Sequence, residues 1–173
     1  MTETQPANSP VKHSSIAVKP VIAGVAIALA LTASAALAVM QTRFASGYVE
    51  IGEGIRVAVT VASSVATREK GLSGKESLRS DEGMLFVFDQ AGAYQFWMKD
   101  MRFPIDILWI KDDMIADITT DAAVPTPGEV LPTYFPKVSV DRALEVNAGF
   151  AKAHGLRIGT PVTIHVDKGK KVR

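Results

Sequence analysis

The chain has 173 residues, 47% hydrophobic and 21% charged, the composition of a folded protein with room for one domain of ordinary size. Its formal charge is +1, and basic and acidic residues balance after position 40, which excludes the broad electrostatic footprint of a nucleic-acid binder. The absence of cysteine excludes disulfides, thiolate metal sites, iron–sulfur ligands and cysteine nucleophiles from this sequence.

Residues 1–20 read as a polar tail carrying Lys12 and Lys19. Residues 21–40 hold no charge and are rich in Ala, Val, Ile and Leu. Twenty such residues, at about 1.5 Å rise each, match a hydrocarbon layer of roughly 30 Å, so the segment reads as a transmembrane anchor. The small-residue triplets Ala33-Ser34-Ala35 and Ala36-Leu37-Ala38 also fit a cleaved signal peptide. Both readings export the remainder of the chain to an extracytoplasmic, periplasmic location, anchored in the inner membrane or released after cleavage; the basic residues before the run favour the same direction.

Residues 41–53 read as a linker, 54–167 as the exported domain and 168–173 as a basic tail. Ile55, Val57, Val59 and Val61 alternate with Arg56, Ala58 and Thr60, the period of a half-buried strand. Ser63 or Ser64 is placed to cap a short helix running to Lys70, with Gly71 to end it. Strand-like runs at 84–88, 94–98, 105–110 and 114–120, divided by turn formers, predict a meander. The run 105–110 is apolar on both faces apart from Asp106, which predicts a central strand covered on two sides. Five prolines or glycines between 124 and 136 predict an irregular crossing loop able to act as a lid. Val138, Val140, Leu144 and Val146 predict a further strand, Asn147 an N-cap for a helix over 148–154, and Val162, Ile164 and Val166 a last strand. The expected fold class is α+β: a bent, mainly antiparallel sheet or partly open β-barrel with two short helices, behind an N-terminal membrane or signal helix.

Catalytic signatures are scarce. The run Gly71-Leu72-Ser73-Gly74 lacks the spacing of a nucleophile elbow, and Gly74-Lys75-Glu76 lacks that of a phosphate loop. His13, His154 and His165 stand apart, with no metal-ligand spacing among them, so neither a metal nor a cofactor is expected.

Several blocks occur together in order: Arg68 to Leu72 with Leu78; Glu82 to Phe88; Phe96-Trp97-Met98-Lys99-Asp100 with Pro104-Ile105-Asp106; and Leu144 to Phe150 with His154-Gly155. In these the chain resembles the domain of unknown function 192 family, also called uncharacterised protein family 0127, over about residues 57–166. That resemblance implies the α+β fold and export, and supplies no activity. Asp100 stands where members commonly carry Asn.

The candidate ligand-binding residues are Arg68, Trp97, Lys99, Asp100, Asp106, Glu145 and Asn147. A carboxylate at Asp106, inside an apolar run, requires backbone N–H groups or a cation such as Arg68, Lys99 or Arg102. Trp97 and Lys99 are out of phase with Phe96 and Met98, which turns the indole toward solvent or a groove suited to a flat or sugar-like ligand. Glu145 lies opposite Leu144 and Val146 in phase, which predicts a solvated or turn-capping carboxylate. The leading expectation is a binding or accessory domain without catalysis, its groove bounded by Trp97, Lys99, Asp106 and the 124–136 loop. Its expected partners are the membrane through residues 21–40, and an envelope glycan, small molecule or envelope protein, with no nucleic acid. The alternatives are a glycan hydrolase using Asp106 and Glu145 as acid and base, whose carboxyls would need to lie roughly 5–10 Å apart, and a structural domain for another envelope protein.

Overall fold

A computed structural model describes residues 45–167. The expected anchor at 21–40 and the tails at 1–20 and 168–173 lie outside the described residues. Among the described residues, no helix is long and apolar enough to cross a membrane.

The elements are β1 (Ala45–Ile51), β2 (Ile55–Ala62), α1 (Val65–Lys70), β3 (Glu82–Gly92), β4 (Phe96–Trp97), β5 (Ile105–Lys111), β6 (Met114–Ala122), β7 (Thr133–Tyr134), β8 (Val140–Asn147), α2 (Phe150–Ala153) and β9 (Val162–Val166). Seven strands form one sheet in the order β6-β5-β8-β3-β2-β1-β9, and β4 pairs with β7 in a separate ribbon. All neighbours are antiparallel except β2 and β3, which are parallel and joined through α1. The sheet stays open, but its two edges touch at one bridge, Met114 to Pro161, supported by the Ile115 N–H donating to the Thr160 carbonyl at 2.9 Å. The fold is therefore the expected α+β arrangement, with an open and mainly antiparallel sheet.

Helix α1 follows its sequence signals. Ser64 is the N-cap and exchanges hydrogen bonds with Thr67 in a capping box, and Gly71 ends the helix at φ 46. That left-handed conformation costs glycine little.

Three expectations are corrected. Residues 45–51, expected within a linker, form β1 between β2 and β9; Val49 and Ile51 enter the core, but two alternating residues beside Gly47 are too short a period to announce a strand. The meander is reduced to the β5–β6 hairpin, whose turn residues Asp112 and Asp113 have φ of 51 and 54. Strand β8 separates β3 from β5, and β4 leaves the main sheet for β7. Turn residues mark where the chain reverses, whereas burial decides which strand lies alongside. The expected helix at 148–154 shortens to Phe150–Ala153 and is capped by Gly149, with Asn147 as the last residue of β8.

Apolar side chains cover both faces of the central strands. One face packs Val49, Val57, Leu85, Leu108 and Leu144 against Phe150 and Ala151 of α2. The other packs Met84, Phe86, Ile107, Trp109 and Ala143 against Leu72, Met98 and Met101. Residues Ile105 to Ile110 are all buried, as a central strand covered on two sides requires.

Candidate functional site

Asp106 is fully buried beside the face that carries Leu108 and α2, and both of its carboxyl oxygens accept from backbone N–H groups. Its Oδ1 accepts from the Asp121 N–H and its Oδ2 from the Ala151 N–H, both at 2.9 Å. Two of the three cations that the sequence offered are used elsewhere: Arg102 pairs with Glu76, and Arg68 donates to the Ser63 and Val87 carbonyls at 2.6 and 2.9 Å. Asp106 thus ties the end of β6 and the start of α2 to β5. It is a structural carboxylate and lines no cleft with Trp97.

Glu145 reverses its expected setting. Its side chain is 6% exposed rather than solvated, and Oε2 is buried without a hydrogen-bond partner. The register places it between Met84 of β3 and Ile107 of β5, so both cross-strand neighbours are apolar. Burial pushes its carboxyl up from the usual carboxylate range to about 8, leaving it neutral at pH 7. The sheet face opposite Leu144 and Val146 is itself covered, which the period of the strand could not reveal.

The same register separates the two acids. Asp106 pairs with Val146 and Ile107 with Glu145. Successive residues of a strand point to opposite faces, so Asp106 and Glu145 lie on opposite sides of the sheet. The acid and base pair required by the hydrolase alternative is not formed.

Glu145 instead lines a cleft of about 240 Å³ between α1 and its following loop, β3 and β4. The walls are aromatic: Phe86 and Phe88 from one face of β3, Tyr94, then Phe96 and Trp97 of β4. These rings hold one another. Phe88 and Tyr94 stack with centroids 3.5 Å apart, Phe86 meets Phe96 edge-on at 4.8 Å, and Phe96 meets buried Trp109 at 4.9 Å. Leu72 and Met101 add apolar surface, and Arg68, Glu69 and Lys70 supply the charged groups. The Arg68 guanidinium lies 5.6 Å over the Phe88 ring.

Of the sequence candidates, Arg68, Trp97 and Glu145 come together here, and Trp97 is 49% exposed. Lys99 and Asp100 serve through their backbone. The Ser73 hydroxyl donates to the Lys99 carbonyl at 2.7 Å and the Gly74 N–H to the Asp100 carbonyl at 2.9 Å, pinning this turn to the loop after α1. Asp100 has φ 55, a conformation that Asn and Asp tolerate better than most side chains. Asn147, expected as a helix cap, donates its amide to the Leu78 and Arg79 carbonyls at 3.0 and 2.9 Å and fixes the segment before β3. The 124–136 loop does not line the cleft, but β7 pairs Thr133 with Trp97 and Tyr134 with Phe96, so it braces one wall.

The sequence reading missed Phe86, Phe88, Tyr94 and Phe96 as site residues. Their signal was present: Phe86 with Phe88, and Tyr94 with Phe96, repeat at the strand period and so place rings in pairs on one face. Among the described residues, no group of three or more His, Asp or Glu side chains is arranged to hold a metal ion.

No curated protein matches the chain. Among solved structures, a transcription-regulator candidate from Sinorhizobium meliloti 1021 is similar at 27% identity and a TM-score of 0.65, over 70% of this chain and 95% of that one. A protein of unknown function from Novosphingobium aromaticivorans DSM 12444 is similar at 25% identity and a TM-score of 0.58, over 67% and 83% of the two chains. The family model DUF192, described as an uncharacterized group, matches residues 48–164, which include every strand residue lining the cleft. On that match the chain belongs to the domain of unknown function 192 family.

Proposed function

We propose that the domain binds a small molecule in the aromatic cleft and that it does so as a binding or accessory module of the cell envelope. The observation that carries this reading is the buried, unpartnered Oε2 of Glu145 beneath converging aromatic walls. A polar atom left unpaired inside a protein costs about 1–3 kcal/mol, and a ligand able to hydrogen-bond it recovers that cost on binding. Apolar walls with one or a few fixed polar groups are the usual constitution of a small-molecule site.

Binding fits the cleft better than catalysis. Its one hydroxyl from serine, Ser73, has its proton directed to the Lys99 carbonyl, and among the described residues no histidine lines the walls to serve as its base. The regulator description of the Sinorhizobium relative finds no support in the balanced charge of the domain. Delivery to the extracytoplasmic side by residues 21–40, retained as an inner-membrane anchor or cleaved, belongs to the same proposal, and N-terminal sequencing of the protein from fractionated envelopes tests it.

The binding test uses one of the two tryptophans as a reporter. Trp97 is exposed at the cleft, whereas Trp109 is buried with its Nε1 donating to Thr119 Oγ1 at 2.9 Å. In a fragment screen followed by indole N–H resonances, ligands are expected to shift the Trp97 signal and leave Trp109 nearly still. Trp97→Ala is expected to weaken such ligands at least fivefold. Ligands that bind with the Trp97 resonance unmoved would place the site elsewhere.

A second reading, docking of an envelope protein, has its own observation. Val130 is 94% exposed, and Val124, Leu131, Phe135 and Val138 along the same segment are exposed as well.

A further inference from the structure

We infer that the ligand of this cleft is an organic cation, a small amine or quaternary ammonium whose charged head lies against the aromatic rings and pairs with the Glu145 carboxylate. The inference rests on the ligand-binding reading above and adds the charge and chemical class of the ligand.

Three features on the same walls favour a cation. Phe86, Tyr94, Phe96 and Trp97 line the cleft beside Phe88, whose ring is already covered by Tyr94 and Arg68; the face of an aromatic ring carries the negative side of its quadrupole, and clusters of such rings attract ammonium groups. The aromatic wall already takes one cation, since the Arg68 guanidinium stands over Phe88. Finally, the buried side chain that lines the cleft and keeps an unpartnered polar atom is a carboxyl, a group that can supply a full negative charge where a neutral amide or hydroxyl cannot. An anion would meet the ring faces unfavourably, and the Arg68 and Lys70 charges that could attract it stand with Glu69 on α1.

The other charges around the cleft do not neutralise Glu145. Its neighbours on β3 and β5, Met84 and Ile107, do not titrate. From α1, Arg68, Glu69 and Lys70 line the same space, with Tyr94 beyond them, and none of them hydrogen-bonds its Oε2. Arg68 is held by the Ser63 and Val87 carbonyls, and Lys70 is exposed to solvent.

Binding then carries a proton balance. The free site holds Glu145 as a neutral acid below about pH 8. An arriving ammonium stabilises the carboxylate, and the displaced proton leaves to solvent, one for each cation bound. Affinity should therefore rise with pH by up to roughly tenfold per unit below the carboxyl's own titration point, and level off above it.

The test uses the full chain with choline and benzylammonium, each against its uncharged counterpart, 3,3-dimethylbutan-1-ol and benzyl alcohol, and with benzoate as an anion. Calorimetry in two buffers of different ionisation enthalpy counts protons released, and the Trp97 indole resonance reports the site. The inference expects the cations to bind at least tenfold tighter than their counterparts, with proton release at pH 6.5 and a rising pH profile. In Glu145→Gln the pH profile should flatten and the preference for the cation should fall at least tenfold; Trp97→Ala, at an exposed position, should weaken cations without altering the pH slope. Equal or better binding of the alcohols or of benzoate at Trp97 overturns the cation while leaving the ligand site standing. Silence from every probe, together with an empty fragment screen, overturns both.

Discussion

Two buried acids on adjacent strands show how neighbouring side chains of one type acquire different roles. Asp106 receives two backbone N–H groups, one at each carboxyl oxygen, whereas Glu145 receives nothing at Oε2 and is held neutral by burial. Removing the first should be costly. Asp106→Ala leaves the Asp121 and Ala151 N–H groups unpaired, and at about 1–3 kcal/mol for each donor the expected loss is about 2–6 kcal/mol in urea unfolding. Asp106→Asn keeps one acceptor and should lose roughly half as much. A loss below about 1 kcal/mol for the alanine variant would mean that water replaces the carboxylate there.

Glu145 should impose a pH dependence of the opposite kind from that of an ordinary paired carboxylate. Its value is about 8 in the folded chain against 4.5 for an unperturbed glutamate, so between these limits the folded state holds a proton that the unfolded state has released. Stability from this group is therefore greatest below pH 4.5, falls as pH rises, and reaches its floor above about 8. At about 1.4 kcal/mol for each pH unit between the two values, the whole change amounts to several kcal/mol. Thermal melts of Glu145→Gln should show a flatter profile than the parent chain across this window and a higher midpoint at pH 9 relative to it. Parallel profiles for the two proteins would show that Glu145 is ionised in the folded state.

At the scale of elements, the strands whose sequence period was long enough announced themselves, and those whose period was short did not. β2 and β5 carry continuous patterns and are found where the residues indicate. β1 was hidden by Gly47, and the reason lies across the sheet: a Cβ at that position would stand 2.2 Å from the His165 carbonyl oxygen of β9. Gly47→Ala should force β1 and β9 apart, costing about 1–3 kcal/mol, the usual range for overpacking. Hydrogen exchange would localise the effect, with amides of β9 losing protection before those of β5 and β8. Unchanged protection in β9 would show that the two strands yield without separating. The same logic explains Asn147. Its sequence neighbours suit a helix start, yet its amide is committed to carbonyls of residues 78 and 79, far away in the chain, a contact that no local pattern announces.

Across the whole molecule, site and scaffold use different faces of the same sheet. β8 inserted between β3 and β5 puts Glu145 under the aromatic walls, while the following residue and Asp106 turn to the face covered by α2. The helix α1, crossing between the parallel strands β2 and β3, supplies the charged rim, and β7 braces β4 from the far side of the proline-rich segment. The sequence by itself determined the α+β class, the capped helix α1, the two-sided burial of β5 and the suspicion attached to Arg68, Trp97 and Glu145, because periodicity, capping and turn chemistry are local properties. Only the tertiary structure decided that β8 lies between β3 and β5, that Asp106 is a structural tie, and that Glu145 is buried and unpaired. Those outcomes depend on which distant strands share a face, and the free energy of burial that selects them is a property of the assembled sheet and is not carried by any one segment.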